Sequence, residues 1–246
     1  MANENGEWIM HGMAKNDPAR IRTVSALEDY VNQIGFLPLF KNEIDDFSVE
    51  EHTYGPDWWS DNEAIDPWEW RKLIAAGGRI AYGKFFNNKA GYISLDWLPV
   101  FANWRRDGYD FDARWEDEKA SHRQKKLMDL FSREEPLYSF EMKELGGFGK
   151  GGEKNFEGTL TSLQMQTYLV VCDFRQRKNK AGIPYGWGIA LYTTPELLWG
   201  SELISSGYSE APAVSKQRIY AHIQKLFPQA DEAAVKKAFG GLHDRI

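Results

Sequence analysis

Gln164 and Gln166 flank Met165, and the cations Arg175, Arg177, Lys178 and Lys180 follow shortly after. Two neutral amides can hold a water and bond to a nucleotide, but neither is a general base at neutral pH. A reaction at such a pair needs a leaving group that already carries positive charge. Residues two apart on a helix point about 200° from one another, whereas in an extended segment they share a face. The pair therefore acts together only if its helix ends near Leu163. Upstream, Thr159, Thr161 and Ser162 join Gln164 as small polar side chains expected on an outward helix face. Hydroxyls suit close approach to a phosphate backbone, and Gln can pair with adenine in the major groove. A solvated face that binds nothing has the same pattern, and so does a merely solubilising basic loop.

Other chemistries lack their residues. The histidines are scattered (His11, His52, His122, His222, His243), and the only cysteine is Cys172. A zinc site is not expected, and an apolar run around Cys172 points to a buried, inert thiol. The loop Gly146–Glu153 is rich in glycine but lacks the Lys-Ser/Thr ending of a phosphate-binding P-loop. It reads as a turn. No nucleophile elbow or dinucleotide fingerprint is present, so no metal or cofactor is expected. Glu50 with Glu51, and Asp110 with Asp112, have no spacing tied to a reaction.

The 246-residue chain carries 36 acidic against 30 basic residues, a net charge of −6. That balance argues against strong nonspecific nucleic-acid binding. The charge is uneven, however. Acidic residues crowd positions 43–51, 57–66 and 107–118, and basic ones crowd 123–126 and 175–180. Screening over about 8 Å at physiological salt leaves a local basic tip free to meet phosphate. Ten tryptophans indicate a packed core rather than disorder. No apolar run approaches a membrane span, and a polar N-terminus with one cysteine fits a cytoplasmic protein.

Periodicity and capping residues supply the elements. Residues 1–22 read as a loose tail. Ser25 is placed to cap a helix closing near Gly35. Residues 41–66 read as an irregular, aromatic connection. Asp66-Pro67 opens a helix, and strands over 79–86 and 91–95 form a hairpin about 87–90. Another helix covers 97–106. An acidic boundary follows, then helices over 120–132, 139–145 and from Asn155. Strands 168–174 and 185–192 are joined by a long basic wing, and helices 215–227 and 231–239 close the chain. Three helices followed by a basic-tipped hairpin is the element order of a winged helix. The expected fold is therefore α+β: a tail (1–22), a helical and hairpin domain that admits a second, degenerate winged helix (23–112), a winged-helix domain (113–200) and C-terminal helices (201–246).

The segments Asp66-Pro67-Trp68-Glu69-Trp70-Arg71, Tyr82-Gly83-Lys84-Phe85-Phe86, Arg106 to Ala113 and Gly158 to Phe174 resemble the AlkZ-related proteins of bacteria. Those are similar in turn to the AlkZ/YcaQ winged-helix DNA glycosylases. The resemblance implies tandem winged helices with a DNA-facing surface. In the glycosylases a Gln-apolar-Gln motif is implicated in excising alkylated or crosslinked bases, and by motif it falls here on Gln164 and Gln166. In the glycosylases the motif lies near the start of the fold, whereas here it follows the third helix of the second domain. Three functions follow as expectations. The first is a binder of duplex DNA that uses Thr159, Thr161, Ser162, Gln164 and the wing cations Arg175, Arg177, Lys178 and Lys180. The second is a monofunctional glycosylase acting through Gln164 and Gln166. The third is a winged-helix module for protein contacts.

Overall fold

The computed structural model describes residues 2–4, 7–179 and 181–240. Lys180 lies outside the described residues, as do the side chain of Lys178 and those of residues 2–8. The chain opens with a hairpin of β1 (Ala2–Glu4) and β2 (Glu7–Ile9). The stretch expected as a tail then runs along residues 49–58. There the Met13 N–H donates to Thr53 O at 2.8 Å and the Ile21 N–H to His52 O at 2.8 Å.

In the N-terminal half, α1 (Val24–Ile34) starts two residues earlier than Ser25 would set it, because Thr23 accepts the Ala26 N–H and so serves as the cap. It ends at Gly35, whose φ of 93° and closeness to the Trp97 ring leave no room for a Cβ. Next come β3 (Phe36–Pro38) and the aromatic connection, which buries Phe47, Val49 and Trp58. Helix α2 (Pro67–Gly77) is capped by Asp66, with Pro67 in its first turn. Strands β4 (Ile80–Phe86) and β5 (Lys89–Ser94) turn at Asn87 and Asn88. Both asparagines have positive φ, as a two-residue primed turn requires. Helix α3 (Leu98–Arg106) completes this half.

The acidic stretch read as a boundary contains α4 (Phe111–Glu116), capped by Asp110. A capping box of Ser121 and Gln124 opens α5 (His122–Met128). It is followed by β6 (Leu137–Tyr138), α6 (Ser139–Leu145) and α7 (Phe156–Met165). The wing is more ordered than expected. Strands β7 (Val170–Lys178) and β8 (Pro184–Thr193) keep their ladder out to the Lys178–Pro184 pair. Only 179–183 form the tip, closed by the Asn179 N–H on Ile183 O at 2.9 Å. Gly186, at a φ of 74°, absorbs the register shift between Arg175 and Arg177. The chain ends with α8 (Pro195–Trp199), α9 (Ser201–Ser205), α10 (Pro212–Leu226) and α11 (Glu232–Phe239).

The architecture mixes helix and sheet. Six strands form one antiparallel sheet in the order β3-β5-β4-β7-β8-β6. Each half contributes a hairpin whose last strand also pairs with a short early strand: β3 with β5, and β6 with β8. The two hairpins meet at the Tyr82–Val171 pair. Each half thus has the same strand order, mirrored about that seam. One hydrophobic core spans both halves and the C-terminal helices. Phe239 of α11 sits 5.7 Å from Phe36 and from Phe86, and Arg105 donates to its carbonyl at 2.6 Å. A cation at a helix C-terminus suits the helix dipole.

Candidate nucleic-acid interface

Helix α7 stays helical through Met165, so the two glutamines diverge. Gln164 is 1% exposed. Its Oε1 accepts the Lys84 N–H at 3.1 Å, and its Nε2 donates to Leu160 O at 3.4 Å. The seam between β4 and β7 consists of a single pair, and beyond it α7 lies against β4. Gln164 supplies there the acceptor that a neighbouring strand would otherwise provide. Gln166 is also buried, with its Oε1 accepting from Gln124 Nε2 at 2.7 Å. The same Gln124 nitrogen reaches Ser162 Oγ at 3.3 Å. Both amides thus act as internal ties, Gln164 to the sheet and Gln166 to α5.

We expect Gln164→Ala to cost about 1–3 kcal/mol, the penalty for a buried donor left without its acceptor. Urea denaturation checks this. An unchanged midpoint would deny the amide its structural role.

The other helix residues divide. Thr159 is buried, and its hydroxyl donates back to Asn155 O at 2.9 Å. Thr161 is half-buried and within 3.3 Å of Lys84 Nζ. Ser162 and Thr159 help line a cleft of about 480 Å³ between α5 and α7, and neither Gln164 nor Gln166 lines it. Nearby cations are committed internally: Arg123 and Lys126 both pair with Glu153, and Lys125 with Asp129.

The wing presents a different surface. Arg175 and Arg177 line a cleft of about 560 Å³ together with Tyr138, Phe140 and Tyr185. The Arg177 guanidinium lies 4.4 Å from the centre of the Phe140 ring. Tyr138 and Phe140 stack at 5.1 Å with 18° between planes, and Tyr185 is 52% exposed. Arg175 pairs with Asp173 at 2.6 Å, which holds the guanidinium firmly charged. The backbone of Lys178 pairs with Pro184. The structure therefore brings the two wing arginines together but places Thr159 and Ser162 in a separate cleft and Thr161 beside Lys84. The wing aromatics were missed in the sequence because they come from three elements. Only the alternation of Ile183, Tyr185 and Trp187 hinted at an exposed apolar strand face.

Cys172 lies half-buried on β7, its Sγ 3.6 Å from Leu191 O. Burial, and then Asp173 beside it, push the thiol up to about 11. At pH 8 the folded protein should react with a thiol reagent on the order of 100-fold more slowly than a free cysteine. Reaction at the free-thiol rate would show the site to be open.

Sequence reasoning also missed Arg106, whose side chain is 1% exposed and links α3 to Thr167, Tyr208 and Glu196. Its only signal was its place in a segment of family resemblance.

Among the described residues, no group of three or more His, Cys, Asp or Glu is placed to hold a metal ion, and no helix is long and apolar enough to cross a membrane. No curated protein and no solved structure matches the chain. A family model described as AlkZ related matches residues 21–240, most of its length. The chain therefore belongs to the AlkZ-related family.

Proposed function

We propose that this AlkZ-related protein binds duplex DNA, with the β7–β8 hairpin as its principal contact and two winged-helix units as its scaffold. The element orders support the scaffold. In the C-terminal half α5, β6, α6, α7 and the β7–β8 hairpin follow one another, and β6 pairs back onto β8. In the N-terminal half α1, β3, α2 and the β4–β5 hairpin run in a shorter version of that order.

The observation that carries the proposal is the cleft of Arg175, Arg177, Tyr138, Phe140 and Tyr185. Exposed guanidiniums meet phosphates through bidentate bonds, and aromatic faces beside them lie against sugars or an unstacked base. Thr161 and Ser162, on the accessible edge of α7, add hydroxyls of a size that suits phosphate contact. Gln164 and Gln166 serve here as the internal ties that hold α7 in place.

Binding to a labelled duplex at 50 and 200 mM salt tests the reading. We expect affinity that falls steeply with salt. Absence of binding at the lower salt would sink the proposal, and would favour a module for protein contacts, with which the overall acidic charge agrees.

A further inference from the structure

The two faces of the wing carry opposite charge. Side chains alternate along a strand, so Arg175 and Arg177 of β7 point to one side of the hairpin and Phe174 to the other. Each face opens onto its own cleft, and Gln176, between the arginines, borders both. Arg175, Arg177, Tyr138 and Tyr185 line the basic cleft described above. The other encloses about 610 Å³ between the hairpin, α2 and the irregular segment before α2. Trp59, Asp61, Glu63 and Trp187 are among its walls.

Charge is available on both faces. Among the described residues Arg177 has no carboxylate partner, and Arg175 has only its surface pair with Asp173. On the acidic side, Asp66 is engaged by the backbone N–H groups of Trp59 and Trp68, and Lys72 pairs with Glu69. Asp61 and Glu63 are exposed and have no cationic partner among the described residues.

Apolar surface accompanies these charges. Trp187 is 86% exposed, Ile183 59%, Tyr185 52% and Trp59 47%. Arg71 already covers the Trp68 and Phe174 rings, which leaves Trp59 and Trp187 as the open indoles of the acidic cleft. Positions 181–195 carry no charged side chain, although 27% of the chain is charged. An exposed hairpin is ordinarily guarded by charge along its strands. Here open aromatics stand beside arginines on one face and beside carboxylates on the other, the side chains favoured at the centre and rim of protein interfaces.

We infer that the protein associates with a second copy of itself head to tail, the basic face of one wing seated on the acidic cleft of the next copy. Arg175 and Arg177 then meet Asp61 and Glu63, for which guanidiniums offer bidentate bonds, and Tyr185 meets Trp59 and Trp187. The two patches lie on opposite faces of one hairpin, so the contact is heterologous and does not close at a dimer. The net charge of −6 opposes association. Screening confines that repulsion to about 8 Å at physiological salt, and the facing charges decide. Each junction covers Arg175 and Arg177, so association and duplex binding exclude one another there.

The test is sedimentation velocity of the full chain, without DNA, over a concentration series at about 50 mM salt, where facing charges are weakly screened. We expect the mass to rise past the dimer with concentration and to fall back to the monomer at about 1 M salt. Arg175→Glu with Arg177→Glu should abolish association, and so should Asp61→Lys with Glu63→Lys, because each sets like charges face to face. An equimolar mixture of the two variants should restore it, since every mixed junction again pairs opposite charges. Trp187→Ala should weaken it about tenfold. A monomer at every concentration, a series that stops at the dimer, or variants that stay monomeric when mixed would overturn the inference. Undiminished association in Trp187→Ala or in either charge-reversed variant would do so too. Every substituted side chain is exposed, and recovery in the mixture shows that both variants fold. With DNA absent, failure here leaves the duplex reading untouched, and failure of that reading leaves this one standing.

Discussion

Arg106→Ala should lower the unfolding free energy by about 2–4 kcal/mol, from the loss of several hydrogen bonds made by a charged donor and of its packed stem. The side chain is almost wholly covered, with 1% of it exposed. It pairs with Glu196, donates to Tyr208 Oη at 3.0 Å and to Thr167 O at 2.7 Å, and lies 4.5 Å from the Tyr168 ring centre. Thr167 is a β-branched residue at a φ of 61°, a conformation it does not adopt unaided. Arg106 holds both its carbonyl and its hydroxyl. Removing the clamp leaves the buried Thr167 carbonyl without its donor and frees the turn between α7 and β7. For a chain of this size the melting temperature should fall by roughly 10 °C. Arg106→Lys should recover little, because an ammonium lacks the planar fork that reaches three partners. A loss below about 1 kcal/mol by urea denaturation would contradict the clamp.

The second large effect concerns DNA. Arg175→Ala with Arg177→Ala should weaken duplex binding at 50 mM salt roughly 10- to 100-fold. It should also reduce the slope of log affinity against log salt by about 2, near 0.9 for each phosphate that is no longer neutralised. Both side chains are exposed and the Arg175–Asp173 pair is a surface pair, so stability should change by less than about 1 kcal/mol. An unchanged slope, measured by fluorescence anisotropy across a salt series, would place the DNA-binding surface elsewhere.

Elements with strong local chemistry were legible in the sequence. Asp66-Pro67 started α2 and Asn87-Asn88 turned the first hairpin, because capping and primed turns depend on adjacent residues. Short elements fixed by distant partners were not. β3 and β6 are three and two residues long and exist because β5 and β8 offer them edges. The wing cations were legible as a charged run, but the aromatics that shape their cleft come from β6, α6 and β8. The glutamines show the limit most clearly. Their spacing announced a motif, yet whether each amide faces a ligand or the interior depends on where α7 ends and on what packs against it. The Lys84 N–H and Gln124 that engage them are 80 and 42 residues away.

The seam at Tyr82–Val171 also bears on how the molecule assembles. Its two residues are about ninety positions apart, so joining them carries a large loop-closure entropy. The β4–β5 and β7–β8 hairpins close across short turns, on the scale of microseconds. Rate control should therefore fall on docking, once each hairpin has found its own register. In kinetic terms the two hairpins should meet as tethered partners on one chain. The chain between β5 and β7, residues 95–169, then sets the effective concentration at which the hairpins meet.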